Sequence, residues 1–440
     1  GWTAKFVVLV LLGFAATDFV LTQTLSAADA AAHLIPNPLW KDYAPELFRS
    51  QMFLTMSLLV LLGGLFMRGF REVIAIAVVI VTVYLVLNLI VVVSGLTYLV
   101  AHPSHAQAWY QNVASGNWGD FERPDFGNGF LSIVAVCLLL FPKLALGLSG
   151  FETGIAVMPL VRGNPDDKPR KPWGRILGTK KLLTTAAFIM SFFLLSSSIV
   201  TTMLIQPGAM HEGGEAADRA LAFIAHGQVE GKNINPMFGE VFGTIYDMST
   251  VAILWFAGAS AMSALLNLVP RYLPRYGMAP RWAEAIRALV LVFTGINLFV
   301  SWWFNASVEA QAGAYATGVL VLICNNCFVV TIIDWRRRWG PLYRRLSWRY
   351  FVISLIFLYT TIAVIIEKPE GMKIAGAFII AVVAFSIISR TRRSTELRFE
   401  KFEFVDDHSR FLWDALRHLE FPVLVPHRPG HHTIIEKDER

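Results

Sequence analysis

Two groups of residues in this chain have the types and spacing to do chemistry in an apolar environment. The first is Gly147-Leu-Ser-Gly-Phe-Glu-Thr-Gly154, preceded by Lys143. Gly costs up to about 1 kcal/mol relative to Ala inside a helix, so this stretch weakens any helix that runs through it. A helix broken there frees backbone amides for an anionic group and carbonyls for a cation. Lys143 and Glu152 bracket the break. A carboxyl in a low-dielectric cavity holds its proton more tightly, which makes Glu152 the candidate proton site. The second group is Asp18, Thr22, Ser26, Asp29 and His33, whose steps of three and four put them on one helical face. Ionisable side chains inside a membrane are costly and mark functional candidates. Asp18 falls near mid-span, and Asp29 and His33 at or past the outer end, where they reach water.

The elements that must position these residues are membrane helices. The 440 residues are 55% hydrophobic and only 16% charged, outside the range of a soluble domain. About ten segments meet the roughly 20-residue requirement of a bilayer crossing. They are 6–26, 51–68, 73–100, 130–160, 182–205, 247–269, 285–305, 314–334, 350–367 and 371–389. Backbone polar groups must be satisfied internally in lipid, and no alternating barrel pattern occurs, so the spans are helical. Arg and Lys cluster after every even-numbered span, as in Arg68 and Arg71, Arg162 to Lys181, Arg336 to Arg349, and Arg390 to Arg393. The loops between carry acids such as Asp120, Glu122, Glu212 and Asp218. This alternation predicts a cytoplasmic N-terminus and a cytoplasmic C-terminal tail in a multi-pass protein of the cell membrane.

The same pattern disposes of several function classes. The net charge of +6 sits beside helix ends, where it sets topology and meets anionic lipid, so it is no nucleic-acid signal. The chain contains no HExxH, GxSxG or paired-Asp motif, which argues against an enzyme, and no repeated pore loop that would suggest a channel. Cys137, and Cys324 and Cys327 in ICNNCF, read as small packed residues, because an apolar setting disfavours the thiolate that redox or metal chemistry needs. No cofactor or metal is expected. Trp302 and Trp303 fit an interfacial aromatic belt. The stretch Ala216–Gly227 is amphipathic enough for a surface helix or a lid. Residues 391–440 form a cytoplasmic tail, or the start of a larger cytoplasmic domain, with the pattern of a strand, a helix at His408–Leu419 and a second strand.

The stretches LLGFAATDFVLTQTLSAADAAAH, LALGLSGFETGIAVMPLVRG and ALLNLVPRYLPRYGMAP resemble the third span, the sixth span and the eighth-span exit of amino acid–polyamine–organocation permeases, a superfamily of leucine-transporter fold. The S-G-F-E core at Ser149–Glu152 carries most of the likeness, and all ten spans are covered. The resemblance implies two inverted five-helix repeats and two further helices. The spans here then correspond to helices three to twelve, with 1–100 ending the first repeat, 130–334 forming the second, and 350–390 the last two. On this count helices one and two are missing, the first span pairs with the sixth, and the 440 residues alone are not expected to transport.

The resemblance further implies an amino acid or related small amine as substrate, bound near the bilayer middle. Gly147, Ser149, Gly150 and Phe151 would contact it from the broken helix. Asp18 and Thr22 would do so from the first span, Ser260 and Ser263 from the sixth, and Asn325 from the eighth. Glu152, with Lys143, is the expected proton-coupling pair. Sodium is the alternative ion, since hydroxyls suit it. The alternative function is a transporter-like sensor that signals through the tail.

Overall fold

The computed structural model describes residues 2–68, 73–115, 130–142, 144, 150, 154, 158, 161–165, 167, 172–211, 213–229, 234–272, 285–337, 347–396 and 406–416. Its helices are α1 (Trp2–Leu34), α2 (Pro38–Tyr43), α3 (Gln51–Arg68), α4 (Val73–Ala101), α5 (Pro103–Ser115), α6 (Phe130–Leu140) and α7 (Trp173–Leu204). They continue with α8 (Ala220–Ala225), α9 (Glu240–Tyr272), α10 (Ile286–Trp303), α11 (Val308–Arg337), α12 (Trp348–Glu367), α13 (Pro369–Glu396) and α14 (Asp407–Leu416). No strand occurs among the described residues. Nine of these helices are long and apolar enough to cross a membrane: α1, α3, α4, α7, α9, α10, α11, α12 and α13. The chain is an all-α, multi-span membrane protein.

Several helices are longer than hydropathy alone suggests, α1 and α9 most of all. Against the expected 6–26 and 247–269, α1 and α9 each run for 33 residues. At 1.5 Å per residue that is about 50 Å, against a hydrocarbon core of about 30 Å. Their ends therefore stand beyond the hydrocarbon or the helices tilt strongly, and hydropathy registers only the apolar middle. Of the fourth expected span, 130–160, the regular helix α6 covers Phe130–Leu140. The carbonyl of Leu138, left open near its end, accepts the Tyr359 hydroxyl of α12 at 2.8 Å.

The packing has an internal order. Helices α1, α3 and α4 contain 33, 18 and 29 residues; α9, α10 and α11 contain 33, 18 and 30. Exchanging α1 with α9, α3 with α10 and α4 with α11 maps the contacts onto one another. α1 packs on α3 and α11, as α9 packs on α10 and α4; α1 meets α10 as α9 meets α3; and α1–α9 and α3–α10 are the pairs that map onto themselves. The two long helices are antiparallel. Asp247 of α9 meets the end of α1, whereas Gly258, further along α9, lies against Gln23.

One core fills the middle of this arrangement, with Phe19, Val20 and Leu21 of α1, Leu62 and Phe66 of α3, Met262 and Leu265 of α9, Phe293 of α10 and Tyr315 of α11. A second core joins Val91 and Leu99 of α4, Val200 and Leu204 of α7, the buried Ala222–Ala225 of α8, and Phe242 and Tyr246 of α9. Thus Ala216–Gly227 is no surface helix: its apolar face is buried against three spans. Residues 391–440 form a separate compact unit. In it Asp406 caps the start of α14, its carboxylate accepting the Ser409 amide at 2.7 Å; the two strands expected beside it lie outside the described residues.

Candidate functional site

Polar side chains reach the interior of the bundle at two levels of α1. The lower level is built around Asp18, which is fully buried. It faces Gly318 of α11, where a methyl group would stand in ordinary contact, 3.5 Å from Asp18 Cα and Cβ. Thr22 turns its hydroxyl back to the Asp18 carbonyl at 2.8 Å. One step around the helix, Gln23 accepts a hydrogen bond from Asn297 Nδ2 of α10 at 2.7 Å and donates to the Phe19 carbonyl at 3.0 Å. Nearby on α10 and α11, Asn297 Oδ1, Ser301 Oγ and Gln311 Oε1 are buried without a hydrogen-bond partner among the described residues. These groups are costly to bury, and they give the centre of the bundle a polar strip inside an apolar core.

The expected substrate residues distribute as follows. Because α1 and α9 are antiparallel and Gly258 lies against Gln23, Ser263 is about level with Asp18. Ser263 is half-buried; Ser260 is exposed and bonds its own helix at the Ala257 carbonyl, 2.8 Å away. Asn325 is half-buried and stands two turns, or about 10 Å, beyond Gly318 on α11. Gly150 has φ +93°, a conformation that L side chains rarely adopt, and its carbonyl accepts the Gly154 amide at 3.1 Å. The chain is therefore not a continuous helix through Gly150. Lys143, Gly147, Ser149, Phe151 and Glu152 lie outside the described residues.

The upper level was only half legible. Asp29 and His33 do not reach open water as expected, because α1 continues to Leu34 and both residues turn into protein; His33 is buried. The centre of this level is Asp247 of α9, wholly inaccessible. Its Oδ2 lies 2.8 Å from Asn37 Nδ2 and 2.8 Å from His226 Nε2, and its Oδ1 lies 3.6 Å from His33 Nδ1. Asn37 is fixed from both ends, since its Oδ1 also accepts the Leu39 amide and caps α2. His226 closes α8 and lies flat on α9 at Gly243, where any side chain would overlap the imidazole ring. Four segments thus converge on one carboxylate: the end of α1, the α2 cap, the 216–229 segment and α9.

No known family model and no curated protein matches the chain.

The residues themselves define the chemistry at this level. Arg219, buried beside the cluster, is lowered from its ordinary value by burial, which Asp247 and Glu215 oppose. An arginine keeps its proton in a protein, so it is the permanent cation here. Asp218 is raised above the usual carboxylate range by burial and by Glu309, with His33 acting against them. Among the described residues no group of three His, Cys, Asp or Glu side chains could hold a metal ion. The arrangement suits the binding and exchange of protons.

A cavity of about 960 Å³ opens between α1, α10 and α13. Leu12, Ala16, Phe293, Ile296, Ile374 and Phe378 line it, with Glu370 and Lys373 at its polar part. That apolar wall does not suit a zwitterionic solute, whose charges would lose their hydration without partners.

Proposed function

We propose that this protein is a secondary active transporter of amino acids or related small amines in the cell membrane, with both termini cytoplasmic. The reading places it with the amino acid–polyamine–organocation permeases and has it work by alternating access around the segment Gly147–Glu152. The observation that carries it is the packing of α1, α3 and α4, repeated in α9, α10 and α11 with the long helices antiparallel. Inverted repeats of this kind let one bundle rock against another about a site near the bilayer middle. The polar strip around Asp18, Ser263 and Gln23, and the non-helical Gly150, supply the kind of groups such a site needs. Proton coupling through Glu152, with Lys143 beside it, belongs to the same proposal.

The test is uptake of a radiolabelled amino acid and polyamine panel into proteoliposomes, using the product of the full gene so that any residues encoded ahead of Gly1 are present. Accumulation driven by an inside-alkaline pH gradient, abolished in Glu152→Gln while exchange persists, is the expected result. Absence of flux for every member of the panel, with the protein correctly folded, overturns the reading.

A further inference from the structure

The cluster at Asp247 sets one carboxylate against two imidazoles, and its two oxygens are not equally satisfied. Oδ2 of Asp247 is satisfied twice, by Asn37 and by His226. Oδ1 is buried without a hydrogen bond, and so is the atom that faces it, His33 Nδ1, 3.6 Å away. In the neutral ring that carries its hydrogen on the other nitrogen these are two acceptors that repel, whereas an imidazolium has a hydrogen on both nitrogens and makes the same contact a charge-assisted attraction. The surrounding charge points the same way.

From α1, Asp29 and His33 face the cluster; from the 216–229 segment come Asp218, Arg219 and His226; and from α9, Asp247 and its neighbour Tyr246. Tyr84 of α4 stands toward Asp29 and Tyr246, with Asn88 taking the Tyr246 hydroxyl at 2.8 Å. Glu309 of α11 approaches Asp218 but is paired with Lys368 at 3.3 Å, and Glu215 stands beside Arg219. Among the described residues that face the cluster, three carboxyls, Asp29, Asp218 and Asp247, thus share one permanent cation, Arg219. A proton on either histidine adds positive charge beside them.

We propose that His33, His226 and Asp247 form a proton-binding site that, when loaded, clamps the 216–229 segment and the end of α1 onto α9. The bond between His226 and Asp247 is the polar tie between the segment and α9, and His33 ties α1 to the other oxygen of the same carboxylate. An imidazolium binds a carboxylate more strongly than a neutral imidazole does, so loading the cluster with a proton tightens the clamp. The clamp is therefore firmer at acid than at alkaline pH. None of this depends on what the protein transports.

The experiment places a reporter under the segment. In the full-length, detergent-solubilised protein with Cys137, Cys324 and Cys327 replaced by alanine, Ala222→Cys puts a thiol where the native side chain is fully buried. Ala220→Cys, at a half-buried position, is the second reporter if the first does not fold. Maleimide labelling is measured from pH 5.5 to 8 and divided by the rate at exposed Gln206→Cys, which removes the thiol's own ionisation. A one-unit difference in proton affinity between clamped and released forms gives labelling about tenfold slower at the acid end. In His33→Gln and in His226→Gln, which keep a polar side chain but lose the titration, this protection shrinks; in the double variant the normalised rate is flat. Full pH dependence in the double variant, no pH dependence in the parent, or loss of the dependence in Asp29→Asn alone would each overturn the proposal.

Discussion

Helices α1 and α7 are almost the same length, 33 and 32 residues, and almost equally apolar, yet 61% of the most apolar stretch of α1 is buried against 17% of that of α7. Their polar residues differ in kind. In α7 the hydroxyls of Thr179, Ser197, Thr201 and Thr202 all return to carbonyls of their own helix three or four residues earlier. A helix can satisfy such groups by itself, so they place no demand on its neighbours. In α1, Gln23 bonds the Phe19 carbonyl of its own helix but also accepts from Asn297 of α10, and His33 faces Asp247 of α9. Polarity in a membrane span points to a site when the group needs a partner on another helix.

The largest effect expected from this difference is at Asp247. Asp247→Leu removes the acceptor shared by Asn37 and His226 and the larger of the two charges that oppose the burial of Arg219, at a cost of about 3–5 kcal/mol. Unfolding in mixed detergent micelles would show it as a large fall in midpoint. A smaller effect is expected at the other contact made by α1. Asn297→Leu strands a buried Gln23 oxygen and costs about 1–3 kcal/mol, while Gln23→Leu with Asn297→Leu returns most of it, because two apolar groups of similar size leave nothing unpaired. Equal losses in the single and double variants would break the distinction between α1 and α7. On α7, Thr202→Val should change stability by less than about 0.5 kcal/mol, since its exposed hydroxyl bonds only its own backbone.

The smallest effect is local, at the start of α7. Asp167 accepts amides from Gly174 at 2.8 Å, Arg175 at 3.0 Å and Asn164 at 3.2 Å, and these bonds, that from Gly174 foremost, hold its carboxyl below the usual range. A depressed carboxyl stabilises the folded loop above its unfolded value, about 3.9, and the contribution is lost as pH falls through the folded value. Asp167→Asn should therefore speed amide exchange at Gly174 and Arg175 at neutral pH and change little below that range.

Much of this was readable in the residues. The spacing of Asp18, Thr22, Ser26, Asp29 and His33 gave one face of one helix, and the apolar runs located the nine described spans. The upper cluster was legible only from the side of α1, because periodicity reports on a single helix and the partners lie far apart: Asn37 and Asp247 are 210 residues apart in the chain. Hydropathy added to the difficulty. It began the sixth span at Asp247, as though the carboxyl stood at a wet helix end, whereas α9 starts two turns earlier at Glu240 and carries Asp247 inside. His226 was hidden in a stretch read as a surface helix or a lid, whose apolar face the second core buries. Gly150 was legible because three glycines close together have few uses inside a helix, and its positive φ agrees with that reading.

The claim that α1 is held by side-chain bonds across helices and α7 by its own backbone is tested most directly by hydrogen exchange of the full-length protein in lipid nanodiscs. The account predicts that Asp247→Asn speeds exchange of α1 amides from Ala27 to Leu34 by at least about tenfold, equivalent to about 1.4 kcal/mol, and leaves α7 from Thr184 to Thr202 unchanged. Equal acceleration in both helices, or none in either, would contradict it.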